Sequence, residues 1–338
     1  MNNPSGDRVG VLGSGGWGTA LAVHLGRLGK QVSLWGRDEA LVARMVSRRE
    51  NRPYLADVEL PATVDPTPSL EAALDGVKYV VAAVPSHGVR DVLRRAAPVV
   101  PPEATIISAA KGLEVGTLLR MSEVIDQELG ASRPVAILSG PSFAAEVARG
   151  MPTAVSVAGR SEAAVAAVQR EFRASYFRLY ASADVTGVEV GAALKNVIAI
   201  ATGVVEALGL GRNASAALIT RGLAEISRLA FALGGQRDTV AGLSGLGDLI
   251  LTCTGTLSRN RQVGLELGKG RPLGDVLTGM KMVAEGVRTT SAALALGARH
   301  NVELPIVAQM AEVLAGRRTP REAVEELMLR RQRAELEQ

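Results

Sequence analysis

Arg8-Val9-Gly10-Val11-Leu12-Gly13-Ser14-Gly15-Gly16-Trp17-Gly18-Thr19 is the stretch of this 338-residue chain from which the fold is read. Residues 9–12 form a short apolar, β-branched run with the length of a buried strand. The glycines at 13, 15 and 18 follow with G-x-G-x-x-G spacing, and an Ala- and Leu-rich helical pattern runs from 19 to 28. In that order, a tight turn brings backbone amides at the positive end of a helix up to a pyrophosphate. A glycine turn with no ligand is the plain alternative, and the strand and helix on either side argue against it.

Outward from this loop, short apolar runs alternate with helical patterns as far as about residue 181. This is how a mostly parallel sheet with crossover helices reads. The candidate strands are 9–12, 32–35, 79–84, 105–109, 135–138 and 154–158, with 177–180 as a candidate for the last. Strand signals stop after Asp184, and long Ala/Val/Leu/Ile stretches carry helical spacing to the end. The expected architecture is an α/β dinucleotide-binding domain over residues 7–183 and an all-α domain over 184–338. Two domains also suit a chain of this length. Thr319-Pro320-Arg321-Glu322 has the form of a capping box that starts the last helix, with Ala323, Val324, Leu327 and Met328 as its apolar face.

Composition narrows the class. Hydrophobic residues make up 47%, charged residues 21% and aromatic residues 3%, which is outside the polar regime of disordered chains. The formal charge of +4 is dispersed, without the clustered basic residues and stacking aromatics of a nucleic-acid footprint. At the C-terminus Arg321, Arg330, Arg331 and Arg333 alternate with Glu322, Glu325, Glu326 and Glu335, as on a solvated helix face. Cys253 is the single cysteine, so no intrachain disulfide forms and a cytoplasmic location is expected. Residues 1–7 are short and polar, unlike a signal peptide. The apolar stretch 185–210 contains Glu189, Lys195, Asn196 and Glu206, and reads as a buried core helix rather than a bilayer span.

Four further segments carry chemistry. Lys111-Gly112-Leu113-Glu114 follows a strand, at the sheet edge where open α/β folds place ligands. Gly140-Pro141-Ser142-Phe143-Ala144 follows the next one. Lys195-Asn196 lies within the apolar helix, where a lysine must be paired, desolvated for chemistry, or snorkelling to water. Burial lowers its pKa toward the range of a general acid and base. Gly245-Leu246-Gly247-Asp248 precedes Ser258-Arg259-Asn260, where Ser258 reads as an N-cap and Arg259 and Asn260 fall where free amides favour a phosphate. Asp248 is placed to pair with Lys195, or else to act as a simple cap; Arg259 is otherwise an ordinary first-turn residue. The three histidines, His24, His87 and His300, show no metal-ligand spacing, and no metal site is expected. After strand 32–35, Arg37 precedes Asp38. A guanidinium there suits a 2′-phosphate and favours NADPH, with NADH possible if Asp38 instead receives the ribose.

Together these motifs resemble the NAD(P)-dependent glycerol-3-phosphate dehydrogenases of bacteria over nearly the whole chain. The resemblance implies a Rossmann domain followed by a helical substrate-binding and dimerisation domain of the 6-phosphogluconate-dehydrogenase type, paired as a homodimer. It implies reversible reduction of dihydroxyacetone phosphate to sn-glycerol 3-phosphate, which feeds glycerophospholipid synthesis. Lys195 then matches the general acid and base. Lys111, Gly140, Ser142, Lys195, Asp248, Ser258, Arg259 and Asn260 match substrate contacts. Gly13, Gly15, Gly16, Trp17, Gly18, Arg37, Tyr54, Lys111, Ala144, Arg259, Val283 and Glu285 match cofactor contacts. Gly16 departs from relatives that carry a hydroxyl or aromatic residue, though its backbone amide is retained. The competing readings are a β-hydroxyacid or 6-phosphogluconate type dehydrogenase and a non-catalytic NADPH-binding regulator.

Overall fold

A computed structural model describes residues 7–280, 283–331 and 334; residues 1–6, Arg333 and Glu335 lie outside the described residues. The chain divides into two units. One comprises the chain up to Ala110 together with Met121–Val185, and the other comprises Lys111–Arg120 together with the chain from Thr186 onward.

The first unit is built on ten strands: β1 (Arg8–Leu12), β2 (Gln31–Trp35), β3 (Glu50–Asn51), β4 (Leu55–Glu59), β5 (Val64–Thr67), β6 (Tyr79–Ala82), β7 (Thr105–Ser108), β8 (Val135–Ser139), β9 (Thr153–Ala158) and β10 (Phe177–Ser182). Eight of them form one sheet in the order β10-β9-β8-β7-β6-β1-β2-β5, while β3 and β4 make a separate antiparallel hairpin. Only the β8–β9 pairing is antiparallel within the large sheet. Val9 pairs with Val32 on one side and Tyr79 on the other, so β1 is central and buried on both faces. That burial is why its sequence is a continuous apolar run rather than an alternating one.

All seven strands expected from the sequence are present. The edge strand β5 and the hairpin were not expected. Pro66 within β5 weakens a strand reading, yet an edge position tolerates a missing N–H. Helices α1 (Gly16–Arg27), α2 (Glu39–Arg48), α3 (Leu70–Leu74), α4 (Ser86–Ala96), α5 (Met121–Leu129), α6 (Ala144–Ala148) and α7 (Glu162–Phe172) complete this unit.

The second unit is helical: α8 (Val185–Ala207), α9 (Gly211–Ala232), α10 (Arg237–Ala241), a π-helical turn (Leu243–Gly247), α11 (Asp248–Thr254), α12 (Arg259–Gly268), α13 (Leu273–Thr278), α14 (Glu285–Arg299), α15 (Pro305–Leu314) and α16 (Pro320–Met328). Helix α8 is long and apolar enough to cross a membrane, but it is buried within the protein and forms the axis of a separate hydrophobic core. A helix that is apolar all round is accommodated in this way. The capping box at Thr319 and Glu322 forms as its sequence predicts. Ala323 is buried there, whereas Met328, read as part of the same apolar face, is exposed in the last turn of α16.

Two glycines set how closely α12 crosses α8. A Cβ on Gly264 would lie 1.9 Å from the Ile200 carbonyl oxygen, and one on Gly203 would lie 2.1 Å from that of Arg261. Both backbones are therefore in contact, with no room for a methyl group. Gly264→Ala is expected to force the helices apart and destabilise the protein by about 1–3 kcal/mol. Urea unfolding measures this, and a variant with the parent midpoint would contradict the close crossing.

Candidate active site

Within the first unit, the glycine loop joins β1 to α1. Gly13 has φ of +119°, a conformation that L side chains rarely adopt. A Cβ on Gly18 would fall 1.9 Å from the Gly13 carbonyl oxygen, so only glycine lets the helix start this close to the turn. Gly15 is the N-cap of α1, caps it with no side chain, and has open space where a Cβ would point. No acidic residue occupies the first turn. The uncapped amides and helix dipole leave an anion cradle of the kind a pyrophosphate fills. Trp17 Nε1 is buried without a partner among the described residues, a further donor available to a ligand. These features fit a dinucleotide.

Several other predicted cofactor residues gather around the loop. A Cβ on Gly16 would lie 3.0 Å from the Tyr54 carbonyl oxygen and 3.8 Å from Ala144 Cβ, so the hairpin and α6 both close on it. A side chain at position 16 would press on this backbone. Gly36 backs onto Ser14 of the loop, and the exposed Arg37 follows it at the end of β2. Asp38, the alternative ribose partner, caps α2 by accepting from Leu41 N at 2.9 Å. Gly140 turns with φ of +139°, and Ser142 Oγ donates to its carbonyl at 2.8 Å just before α6. One residue the sequence reading did not assign is Asn51. Its Nδ2 donates to the Ser14 carbonyl at 2.8 Å and to Thr19 Oγ1 at 2.7 Å, fixing the loop from the hairpin side.

The second unit holds a charged cluster in its interior. Lys195 Nζ lies 2.6 Å from Asp248 Oδ1, and Lys111 Nζ lies 2.9 Å from Asp248 Oδ2. Lys195 is 5% exposed and Asp248 1%. Lys195 Nζ also donates to Thr252 Oγ1 at 3.0 Å, and that hydroxyl donates to the Asp248 carbonyl at 2.6 Å. The backbone explains the meeting. A Cβ on Gly191, one turn before Lys195, would lie 3.0 Å from the Ser244 carbonyl oxygen. The π-helical turn therefore reaches α8 there and delivers Asp248, the first residue of α11, to the lysine.

Burial lowers the Lys195 pKa to about 8; the Asp248 carboxylate opposes the shift and the Lys111 ammonium adds to it. An amine poised there gains and loses a proton near neutral pH, as a general acid and base must. Cys253, also buried in this core, has its thiol pushed up to about 12 by desolvation. Its role is packing. His24, in the first unit, is likewise structural: Nε2 lies 2.7 Å from the Phe172 carbonyl oxygen and Nδ1 lies 3.0 Å from the Tyr176 hydroxyl.

Next to the cluster along α8, Asn196 Oδ1 accepts from Asn260 Nδ2 at 2.9 Å, and Asn260 Oδ1 accepts from Gly286 N at 2.9 Å. Ser258 caps α12 by accepting from Arg261 N at 3.2 Å, as its sequence position suggests. The exposed Arg259 donates through Nη1 to the Val283 carbonyl at 2.8 Å. The α12 N-terminus and the segment holding Val283 and Glu285 are thus tied together by two hydrogen bonds.

The eighteen predicted site residues therefore fall into two groups. Gly13, Gly15, Gly16, Trp17, Gly18, Arg37, Tyr54, Gly140, Ser142 and Ala144 lie in the first unit, and Lys111, Lys195, Asp248, Ser258, Arg259, Asn260, Val283 and Glu285 in the second. Lys111 follows a strand, as its sequence position suggests, yet groups with the second unit. Strand β7 ends at Ser108, and the chain then enters the second unit, where Leu113 joins the helical core. Thr252 was visible only as a hydroxyl one helical turn after Asp248, a spacing that places both on one face.

Residues 8–165 match the model described as NAD-dependent glycerol-3-phosphate dehydrogenase N-terminus, and residues 184–325 match the corresponding C-terminus. A glycerol-3-phosphate dehydrogenase [NAD(P)+] of Koribacter versatilis is 51% identical over 328 residues, covering 96% of this chain and 97% of the relative. A protein of the same name from Acidobacterium capsulatum is 51% identical over 331 residues, covering 96% and 98%. The crystal structure of a glycerol-3-phosphate dehydrogenase from Coxiella burnetii superposes with a TM-score of 0.93 at 39% identity, covering 97% of this chain and all of that one. With both halves matched by family models and half its residues shared with full-length relatives, this chain belongs to the NAD-dependent glycerol-3-phosphate dehydrogenases.

Proposed function

We propose that the chain reversibly reduces dihydroxyacetone phosphate to sn-glycerol 3-phosphate, with NADPH as the preferred cofactor and NADH also accepted. The observation that carries the proposal is the buried Lys195–Asp248–Thr252 cluster, which holds an amine at a pKa of about 8. A nicotinamide held through the glycine loop would supply or accept the hydride equivalent.

Protonated Lys195 donates to the ketone oxygen during reduction, and the neutral amine takes the hydroxyl proton during oxidation. Asp248 keeps the amine oriented, and Lys111 adds positive charge where the oxygen becomes negative. The first-turn amides of α12, together with Arg259, bind the phosphate. Asn196 and Asn260 orient the substrate hydroxyl, and Gly140 and Ser142 serve as further substrate contacts. Trp17, Tyr54, Ala144, Val283 and Glu285 contact the cofactor. We assign dinucleotide binding to residues 7–183, and substrate binding and homodimer formation to residues 184–338, in a cytoplasmic enzyme that feeds glycerophospholipid synthesis.

Three expectations test this reading. Lys195→Ala should lower turnover by about 10²–10⁴-fold while leaving NADPH binding intact. In the parent, reduction should fall and oxidation should rise as pH increases through about 8, the Lys195 pKa. Because Asp248 holds that pKa up, Asp248→Asn should move both limbs to lower pH. Near-parental turnover in Lys195→Ala would overturn the assignment.

The preference for NADPH rests on Arg37, exposed at the end of β2, and on an Asp38 carboxylate already engaged in capping α2. Arg37→Ala should raise the KM for NADPH by about tenfold or more, the scale of one charge-assisted hydrogen bond, and leave that for NADH nearly unchanged. Equal effects on both cofactors would remove Arg37 from 2′-phosphate recognition.

A further inference from the structure

Lys111–Arg120 lies between two parts of the first unit in chain order, yet it packs as part of the second. Leu113 is buried in the helical core, and its backbone pairs antiparallel with that of Arg120. Glu114 N donates to the Leu119 carbonyl at 2.9 Å and Leu118 N to that of Glu114 at 3.0 Å, closing a short arm. The arm turns through Gly116 and Leu118, at φ of +95° and +65°. It carries one cation at each end, and both cations face acids of the second unit. Lys111 Nζ meets Asp248 at 2.9 Å, and Arg120 Nη1 donates to Glu189 Oε2 at 3.0 Å. Glu189 is 5% exposed and lies on α8, six residues before Lys195.

Apolar burial is non-directional, so Leu113 alone would anchor the arm without fixing its orientation. A charge-assisted bond adds the direction. We propose that Arg120 and Glu189 are positioning residues for the reaction: their ion pair clasps the arm to α8 and so holds Lys111 on Asp248. The clasp thereby sets the charge balance around Lys195, whose neighbours are Asp248, Lys111, Thr252 and Cys253. This rests on the reading of Lys195, Asp248 and Lys111 as the site of proton transfer.

Lys111 opposes protonation of Lys195 and Asp248 favours it. Releasing the clasp lets Lys111 withdraw and leaves Asp248 to Lys195 alone, so both effects raise the pH at which Lys195 loses its proton. A pair that only held the fold together would not move that midpoint.

The test uses the full-length enzyme with NADPH and dihydroxyacetone phosphate, comparing Arg120→Met, the nearly isosteric Glu189→Gln, and Arg120→Lys. The first two are expected to raise the KM for dihydroxyacetone phosphate by about tenfold and move the reduction limb to higher pH. Arg120→Lys keeps the charge and should retain most of the parental behaviour. Parental KM and midpoint in Glu189→Gln and Arg120→Met overturn the clasp, whatever happens to thermal stability; so does an Arg120→Lys variant as impaired as Arg120→Met. Lys111→Met separates this from the reading beneath it. Unchanged kinetics there would show that Lys111 has no place in the site, whereas impaired kinetics beside an unaffected Glu189→Gln would overturn the clasp alone.

Discussion

Helix α8 can hold a lysine in the dry core of the second unit because its neighbours approach its backbone instead of its side chains. Gly191 admits the turn before α11, Gly203 meets Gly264 of α12, and Gly286 at the start of α14 packs where its Cβ would lie 2.5 Å from the Asn196 carbonyl oxygen. At Gly203, Gly264 and Gly286 the approach is closer than a side chain would permit, and at Gly191 it is as tight as a Cβ contact becomes; polar groups arrive with them, Asp248 and Thr252 from α11 and Asn260 from α12, the last held in turn by the Gly286 amide of α14. Without those partners, a buried ammonium would carry an uncompensated desolvation cost, and Lys195 would turn outward or the helix would loosen.

The first unit solves a different problem with the same residue type. Its glycines do not bring helices together; they let a helix begin directly against a strand, with its amides uncovered. The hairpin then limits how far the loop can move, since both Nδ2 protons of Asn51 are used on Ser14 and Thr19. The loop is thus shaped before any ligand arrives, which reduces the ordering cost of binding.

Much of this was legible in the sequence, and the failures have identifiable causes. Continuous β-branched runs such as 9–12 and 79–82 announced the buried parallel strands, because a strand covered on both faces has no polar alternation to obscure it. The edge strand at 64–67 was hidden by Pro66, and the hairpin by a two-residue strand too short to show any period. Lys195 stood out as a charge in an apolar helix, and Asp248 as its acid. What the sequence did not show was partnership across distance. Arg120 looks like an ordinary surface charge, and Glu189 like one more charge in the apolar helix, until Leu113 is seen to draw its arm into the helical core. Asn51, next to a proline-containing turn, likewise reads as loop chemistry although it is fully buried.

Cys253 has a consequence of its own. The chain's single thiol lies in the same core as Lys195, and burial holds it in its protonated form through the whole range in which Lys195 titrates. Thiolate is the form that attacks electrophiles and peroxides, and this sulfur is neither ionised nor accessible. The cluster therefore sits beside a cysteine without inheriting its sensitivity to oxidants. Through this sulfur, an oxidant has no covalent handle on the enzyme.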